Sequence, residues 1–322
     1  MSFEAQAPAS TAPSWTGRRP TIPPVGEFLN AVRTLGFASF RVAFPALAFE
    51  YFFYLGAKLY LEFTVEPGAI QDPRFLTDLA LITVASIPLL FVVFAPVLLI
   101  QDAIHRGTET SYWTAVTQVL RRVLPLAALI VLQGLILFGP PLLLLGGVGL
   151  MVRSLPSIPG AELGSYVRAA SFLALIPCGV YVLVIGLLQF LAQPALVLDS
   201  RGPLTAIRTS FSLVASHFGG LLGRLVVFAI VYVIVYVAVS LPIAFLGMAA
   251  SLGGSAPPAV KVANVIWEAA VSAAMLPFQA AAILVLYRAV RPAGAVPATD
   301  GTLQPGGAVE APPRATSPFQ FE

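Results

Sequence analysis

Long apolar runs, separated by short polar stretches, set the plan of this chain. Six segments meet the requirement of roughly 20 apolar residues for a bilayer span. They are Val42–Phe63, Leu79–Ile100, Val123–Leu150, Ala169–Leu198, Leu225–Ala250 and a last helix from near Val260 to Tyr287. The stretch SLGGSAPP (Ser251–Pro258) reads as the turn that ends the fifth. The first span carries charge along its length, at Glu50, Lys58 and Glu62, and the last helix carries Lys261 and Glu268 before an uncharged Ala269–Tyr287.

A weaker pattern repeats ahead of the spans. Phe28–Thr34 reads FLNAVRT, Tyr112–Gln118 reads YWTAVTQ and Pro203–Thr209 reads PLTAIRT, in register on Ala31, Ala115 and Ala206. Each copy precedes a pair of spans, and each second span carries a proline near one end: Pro96, Pro194 and Pro277. This predicts an all-α chain of three units, each a short amphipathic helix followed by a transmembrane hairpin. In the third copy Leu204, Ile207, Phe211, Val214, Phe218 and Leu221 fall at helical spacing, apart from Arg208, Ser212 and Ser216. In the second, Tyr112, Val116, Val119 and Val123 oppose Thr114, Gln118 and Arg121. Such helices can lie in the headgroup plane, with Arg33, Arg121, Arg122 and Arg208 meeting anionic lipid. The alternative is that they simply begin the spans and pack on neighbouring helices.

Composition agrees with the spans. Of 322 residues 58% are hydrophobic and 10% charged, whereas a soluble domain carries about 25% charged residues. The net charge of +3 is dispersed rather than clustered, which argues against a nucleic-acid partner. Most cations lie in the N-terminal segment, residues 101–122, residues 199–224 and the C-terminal end; Lys58, Arg74, Arg153, Arg168 and Lys261 are the exceptions. The positive-inside rule then places both termini in the cytoplasm, in a plasma membrane of the bacterial inner-membrane type. Residues 1–24 and 292–322, rich in Pro with Ala, are expected to be disordered tails around a membrane domain at 25–291. No apolar h-region marks a cleaved signal peptide.

Charges at membrane depth are costly and become candidate sites. Glu50, Tyr54, Lys58 and Glu62 recur every four residues, and Lys261, Asn264, Glu268, Ser272 and Gln279 share one face of the last helix. Lys58 and Glu62 read as a local i,i+4 pair near the outer boundary. The candidate intramembrane site is Glu50, Tyr54, Asn264, Glu268 and Gln279. It either lines a polar cavity between the first and last spans or is satisfied by neighbours such as Tyr54, Gln133 or Gln189 and fixes packing. GxxxxGK[ST], HExxH and GxSxG are absent, so no catalytic, cofactor or metal site is expected. The glycines of LLLLGGVGL and of Gly219–Gly223 read as helix-packing positions. His105 and His217 read as solvated boundary residues, and Cys178 as a packed apolar one.

Gln193–Phe228 (QPALVLDSRGPLTAIRTSFSLVASHFGGLLGRLVVF) is similar to a segment of the membrane domain of glycerophosphoryl diester phosphodiesterase-like proteins and related six-span membrane proteins. The shared elements are Pro194 at a helix end, Asp199 before Gly202-Pro203, and a helix carrying Ala206 and Ser210. The ending ILVLYRAVR resembles the same group through Tyr287 and Arg291. The resemblance implies the fold and a lipid-related setting. It does not imply phosphodiester hydrolysis, because the soluble domain with its His and acidic metal ligands is missing from this sequence. The expected function is therefore non-enzymatic: a membrane scaffold or accessory protein engaging lipid headgroups or partner membrane proteins. The competing expectation is a carrier for a lipid-like or small solute through the polar cavity.

Overall fold

The computed structural model describes residues 22–64, 77, 81, 82, 86, 89–153, 176–199, 201–251 and 257–291. Every element among them is helical. In chain order they are α1 (Val25–Thr64), a π-helical turn (Leu90–Phe94) leading into α2 (Ala95–His105), and α3 (Tyr112–Leu120). Then come α4 (Val123–Arg153), α5 (Ile176–Asp199), α6 (Pro203–Ser216), α7 (Phe218–Ser251) and α8 (Pro258–Val290). Five of them, α1, α4, α5, α7 and α8, are long and apolar enough to cross a membrane. Of the second expected span, Leu79–Ile100, residues 81, 82, 86 and 89–100 are described, and its last part forms the π-turn and the start of α2.

One expectation is corrected at the start. The first amphipathic copy is not a separate helix: α1 runs without a break through Phe28–Thr34 and on into the span. At about 1.5 Å per residue its 40 residues reach about 60 Å, twice the hydrocarbon thickness. The second and third copies are separate helices because each has its own start. Ser111 accepts the Thr114 N–H (3.2 Å) at the head of α3. Gly202 in extended conformation, followed by Pro203, opens α6. Gly107, with φ of +69°, closes α2 in a Schellman motif: its N–H meets the Ile104 carbonyl and that of Thr108 the Ala103 carbonyl.

Prolines inside the helices remove a donor and free a carbonyl one turn earlier. In lipid such a group must find a partner within the protein. Pro96 frees the Val92 carbonyl, and the Tyr112 hydroxyl donates to it (2.7 Å). Pro140 frees the Ile136 carbonyl, which accepts from the Tyr181 hydroxyl (2.6 Å). Around Phe190–Leu191, just before Pro194, α5 breaks. There Ser210 of α6 accepts the Leu191 N–H (3.2 Å) and donates to the Leu188 carbonyl (2.6 Å).

Burial is concentrated at one end, where the arginines lie. Phe28, Val32, Leu35, Val97, Leu98, Ile100, Ala115, Val119, Leu191, Leu196, Ala206, Leu284 and Leu286 form a continuous core from α1, α2, α3, α5, α6 and α8. The short helices present corresponding positions to it: Tyr112, Ala115, Val116 and Val119 in α3, and Ala206, Ile207, Ser210, Leu213 and Val214 in α6. That buried stripe of α6 is rotated from the expected one, since Leu204 and Phe218 are exposed and Ala206 and Ser210 are buried. Ile22–Pro24, expected within the tail, docks instead: Arg224 donates to the Pro23 carbonyl (3.0 and 3.1 Å), and Ile22 lies where a Cβ on Gly220 would stand. Gly219 and Gly223, by contrast, face open space, as do Gly146 and Gly147, so those glycines are not contact points among the described residues.

Candidate functional site

Two carboxylates anchor the arginine-rich end. Asp102, at the end of α2, receives Arg288 of α8 (Nε to Oδ1, 2.9 Å, with Nη2 on the same oxygen) and Arg106 (2.6 Å). Asp199, at the end of α5, receives the Tyr287 hydroxyl (2.6 Å), Arg291 (2.7 Å) and Arg201 (3.3 Å). Their side chains are 7% and 3% exposed, and a carboxylate buried so deeply requires a charged partner. Four guanidinium groups against two carboxylates leave the cluster with an excess of two positive charges. Tyr287 and Arg291, one turn apart, serve Asp199, while the adjacent Arg288 serves Asp102. The ending of α8 thus ties α2 and α5 together.

The motif residues Asp199, Tyr287 and Arg291 therefore meet, although they lie in distant parts of the sequence. Ser210 bonds the α5 break just ahead of Pro194, Gly202 and Pro203 start α6, and Ala206 is fully buried. Sequence reasoning missed Asp102 and Arg288. The signal was available, because Asp102 follows Pro96 by six residues much as Asp199 follows Pro194 by five.

His105 does not sit free in solvent as expected. Burial and the neighbouring Arg288 and Arg106 lower its pKa from the ordinary 6.5 to about 4, against the opposing pull of Asp102. Burial likewise pushes the Tyr112 hydroxyl up to about 12, which keeps it a donor to Val92. His217, half-buried, sits 3.1 Å from the Leu213 carbonyl, while Cys178 is buried, as an apolar residue would be.

The four arginines expected to meet headgroups divide. Arg33, Arg121 and Arg208 are exposed, and Arg33 donates only to the nearby Asn30 (3.0 Å). Arg122 is instead turned inward, donating to the Val197 carbonyl at the end of α5 (2.7 Å). Large exposed apolar side chains accompany the outward arginines: Trp113 (62% exposed), Leu120 and Leu124 near Arg121, and Leu204 near Arg208.

A second set of polar groups lies where α1 and α8 pack along each other. Lys58 does not pair with Glu62, as local spacing suggested. It meets Glu268 across the helix pair (3.1 Å), and Glu62 meets Lys261 (3.0 Å). Asn264 adds a hydrogen bond to Glu268 (3.1 Å), and Lys58 lies 5.6 Å from the Tyr54 ring centroid. Gln279 donates to the hydroxyl of Tyr232 on α7 (2.8 Å), whose ring stacks on Tyr236. The structure thus gathers Tyr54, Asn264 and Glu268 around Lys58, and sets Gln279 with Tyr232 nearer the arginine-rich end. Glu50 has no hydrogen-bond or ion-pair partner among the described residues. Gln133 donates to the Gln189 backbone carbonyl (3.2 Å) and not to a carboxylate. Deeper in the α1, α2 and α8 contact, Gln101 donates to Ser39 (3.0 Å) and to the Pro277 carbonyl (2.7 Å).

No group of three or more His, Cys, Asp or Glu side chains able to hold a metal occurs among the described residues. The sequence matches no known protein family, no curated protein and no solved structure.

Proposed function

We propose that this chain is a six-span membrane protein whose arginine-rich end faces the cytoplasm and gathers anionic lipid headgroups, acting as a non-enzymatic scaffold or accessory protein. The sixth span would be completed by residues leading into α2. The corresponding burial of Tyr112, Ala115, Val116 and Val119 in α3, and of Ala206, Ile207 and Ser210 in α6, supports a repeated unit with α1 as its fused first copy. The positive-inside bias supports the orientation, since Arg33, Arg41, Arg106, Arg121, Arg122, Arg201, Arg208, Arg224, Arg288 and Arg291 gather at one end. The resemblance to the phosphodiesterase-associated membrane domain adds a lipid-related setting.

The observation that carries the reading is the division of labour among the arginines. Arg106, Arg201, Arg288 and Arg291 are engaged by Asp102 and Asp199, so removing them would unsettle the fold. Arg33, Arg121 and Arg208 are exposed, beside apolar side chains suited to the headgroup boundary. A cation so placed attracts anionic lipid by about 1 kcal/mol. The triple variant Arg33→Glu, Arg121→Glu, Arg208→Glu should therefore keep its fold and lose most of the phosphatidylglycerol that native mass spectrometry finds retained by the wild type. Equal retention by both proteins would reject the reading.

A further inference from the structure

We propose that Glu50 anchors an intramembrane site for one monovalent positive charge, a proton or a sodium-sized cation. Between Arg41 and Lys58, residues Val42–Ala57 contain one charged side chain, Glu50. At about 1.5 Å per residue it lies about 13 Å from the level of Arg41 and about 12 Å from that of Lys58, near mid-depth of a roughly 30 Å hydrocarbon layer. An ionised carboxylate there is costly unless it is compensated.

Among the described residues no group compensates it. Lys58 is neutralised by Glu268, and Lys261 by Glu62, leaving one uncompensated negative charge along the α1–α8 contact. Glu50 is half-buried and follows the buried positions Ala43, Ala46 and Leu47 of α1. It continues the four-residue spacing of Tyr54, Lys58 and Glu62, two of which pair with α8. The polar and titratable groups on the surrounding helices include Tyr51, Tyr54 and Lys58 on α1, Asn264, Glu268 and Gln279 on α8, and Tyr232 and Tyr236 on α7. Tyr112 of α3 is engaged by Val92, and Asp102 of α2 by arginines. No base among these is free to pair with Glu50. The site goes beyond lipid gathering, and its test is independent of the surface arginines.

The full chain in phosphatidylcholine nanodiscs would be treated with dicyclohexylcarbodiimide, which modifies protonated carboxyl groups in apolar surroundings, and mapped by mass spectrometry. Glu50 should be labelled at acidic pH, and ion-paired Glu268 in the same molecules should not. Labelling lost on raising the pH in sodium-free buffer, and unaffected by sodium chloride, identifies a proton as the occupant. Loss on replacing choline chloride with sodium chloride at fixed pH identifies the cation. Absence of label on a detected Glu50 peptide, or label indifferent to both exchanges, overturns the proposal. Because the labelled protein is wild type, the result does not depend on a variant folding. Glu50→Gln should additionally abolish any sodium-dependent shift in melting temperature, and an unchanged shift in that variant would place the ion elsewhere.

Discussion

The two ends of this molecule solve the same problem, polar groups near a bilayer, in opposite ways. At the arginine-rich end Asp102 and Asp199 are almost fully buried, each held by two arginines, and short helices fill the space between the long ones. Toward the other end the core thins out. The most apolar stretch of α7 buries none of its residues, and Lys58, Glu62 and Lys261 form ion pairs with side chains 40–44% exposed. The difference teaches where specificity resides. Apolar helices alone find little in lipid to distinguish one packing from another. The buried carboxylates, which tolerate few partners, select one arrangement of α2, α5 and α8.

The strongest way to break this contrast is to remove Asp199. Asp199→Ala leaves Arg201, Arg291 and Tyr287 around a vanished charge, and breaking a buried pair from one side costs about 3–5 kcal/mol. The variant should be lost from the monodisperse fraction after detergent extraction; wild-type yield and melting temperature would show that Asp199 does not hold the end together.

Acidification tests the same end through His105. Its folded-state pKa is about 4 against an ordinary 6.5, so below pH 6.5 the unfolded chain binds the proton more readily than the folded one. Stability conferred by the neutral ring is complete above pH 6.5 and is lost as pH falls toward 4, with a ceiling of about 3 kcal/mol. Melting curves from pH 7 to 4 should decline less steeply in His105→Gln, and parallel curves would refute the assignment.

A smaller effect is expected from Tyr112→Phe, which leaves the carbonyl freed by Pro96 without its donor and should cost about 1–3 kcal/mol. Tyr181→Phe removes the corresponding bond at Ile136 and offers a matched measurement, although that tyrosine lies outside the dense core. Smallest of all is Lys261→Ala. Its pair with Glu62 is exposed, and such pairs contribute about 0–1 kcal/mol. A loss in melting temperature as large as that of Asp199→Ala would erase the distinction between the two ends.

Much of this was legible along the chain. The apolar runs were long enough to read as spans, and the Gly202-Pro203 start of α6 follows from backbone chemistry alone. The motif residues Asp199, Tyr287 and Arg291 stand out in the sequence, and they meet in the fold. Three readings failed for a common reason. Local i,i+4 spacing matches Lys58 to Glu62, the amphipathic repeat assigns Arg122 to lipid headgroups, and a helix-boundary position assigns His105 to solvent. Each used sequence proximity where a helix from elsewhere in the chain supplied the deciding group: Glu268, Val197 or Arg288. The separateness of the first amphipathic copy fails differently: Gly36 and Ser39 lie between Phe28–Thr34 and the span, yet α1 continues through both, with the Ser39 hydroxyl donating to the Gly36 carbonyl (3.0 Å).

Local chain chemistry fixes which described segments are helical, though not every helix boundary, and which of them suit lipid. These depend on local backbone preference and on the summed transfer energy of consecutive side chains. Only the tertiary structure decided which acid meets which base. Charges on one helix can be paired by spacing, but Asp102 and Arg288 are 186 residues apart. Their meeting depends on how α2 and α8 cross, a crossing at which Gln101 of α2 also donates to the Pro277 carbonyl of α8 (2.7 Å). The same tertiary pairing leaves Glu50 without a partner among the described residues.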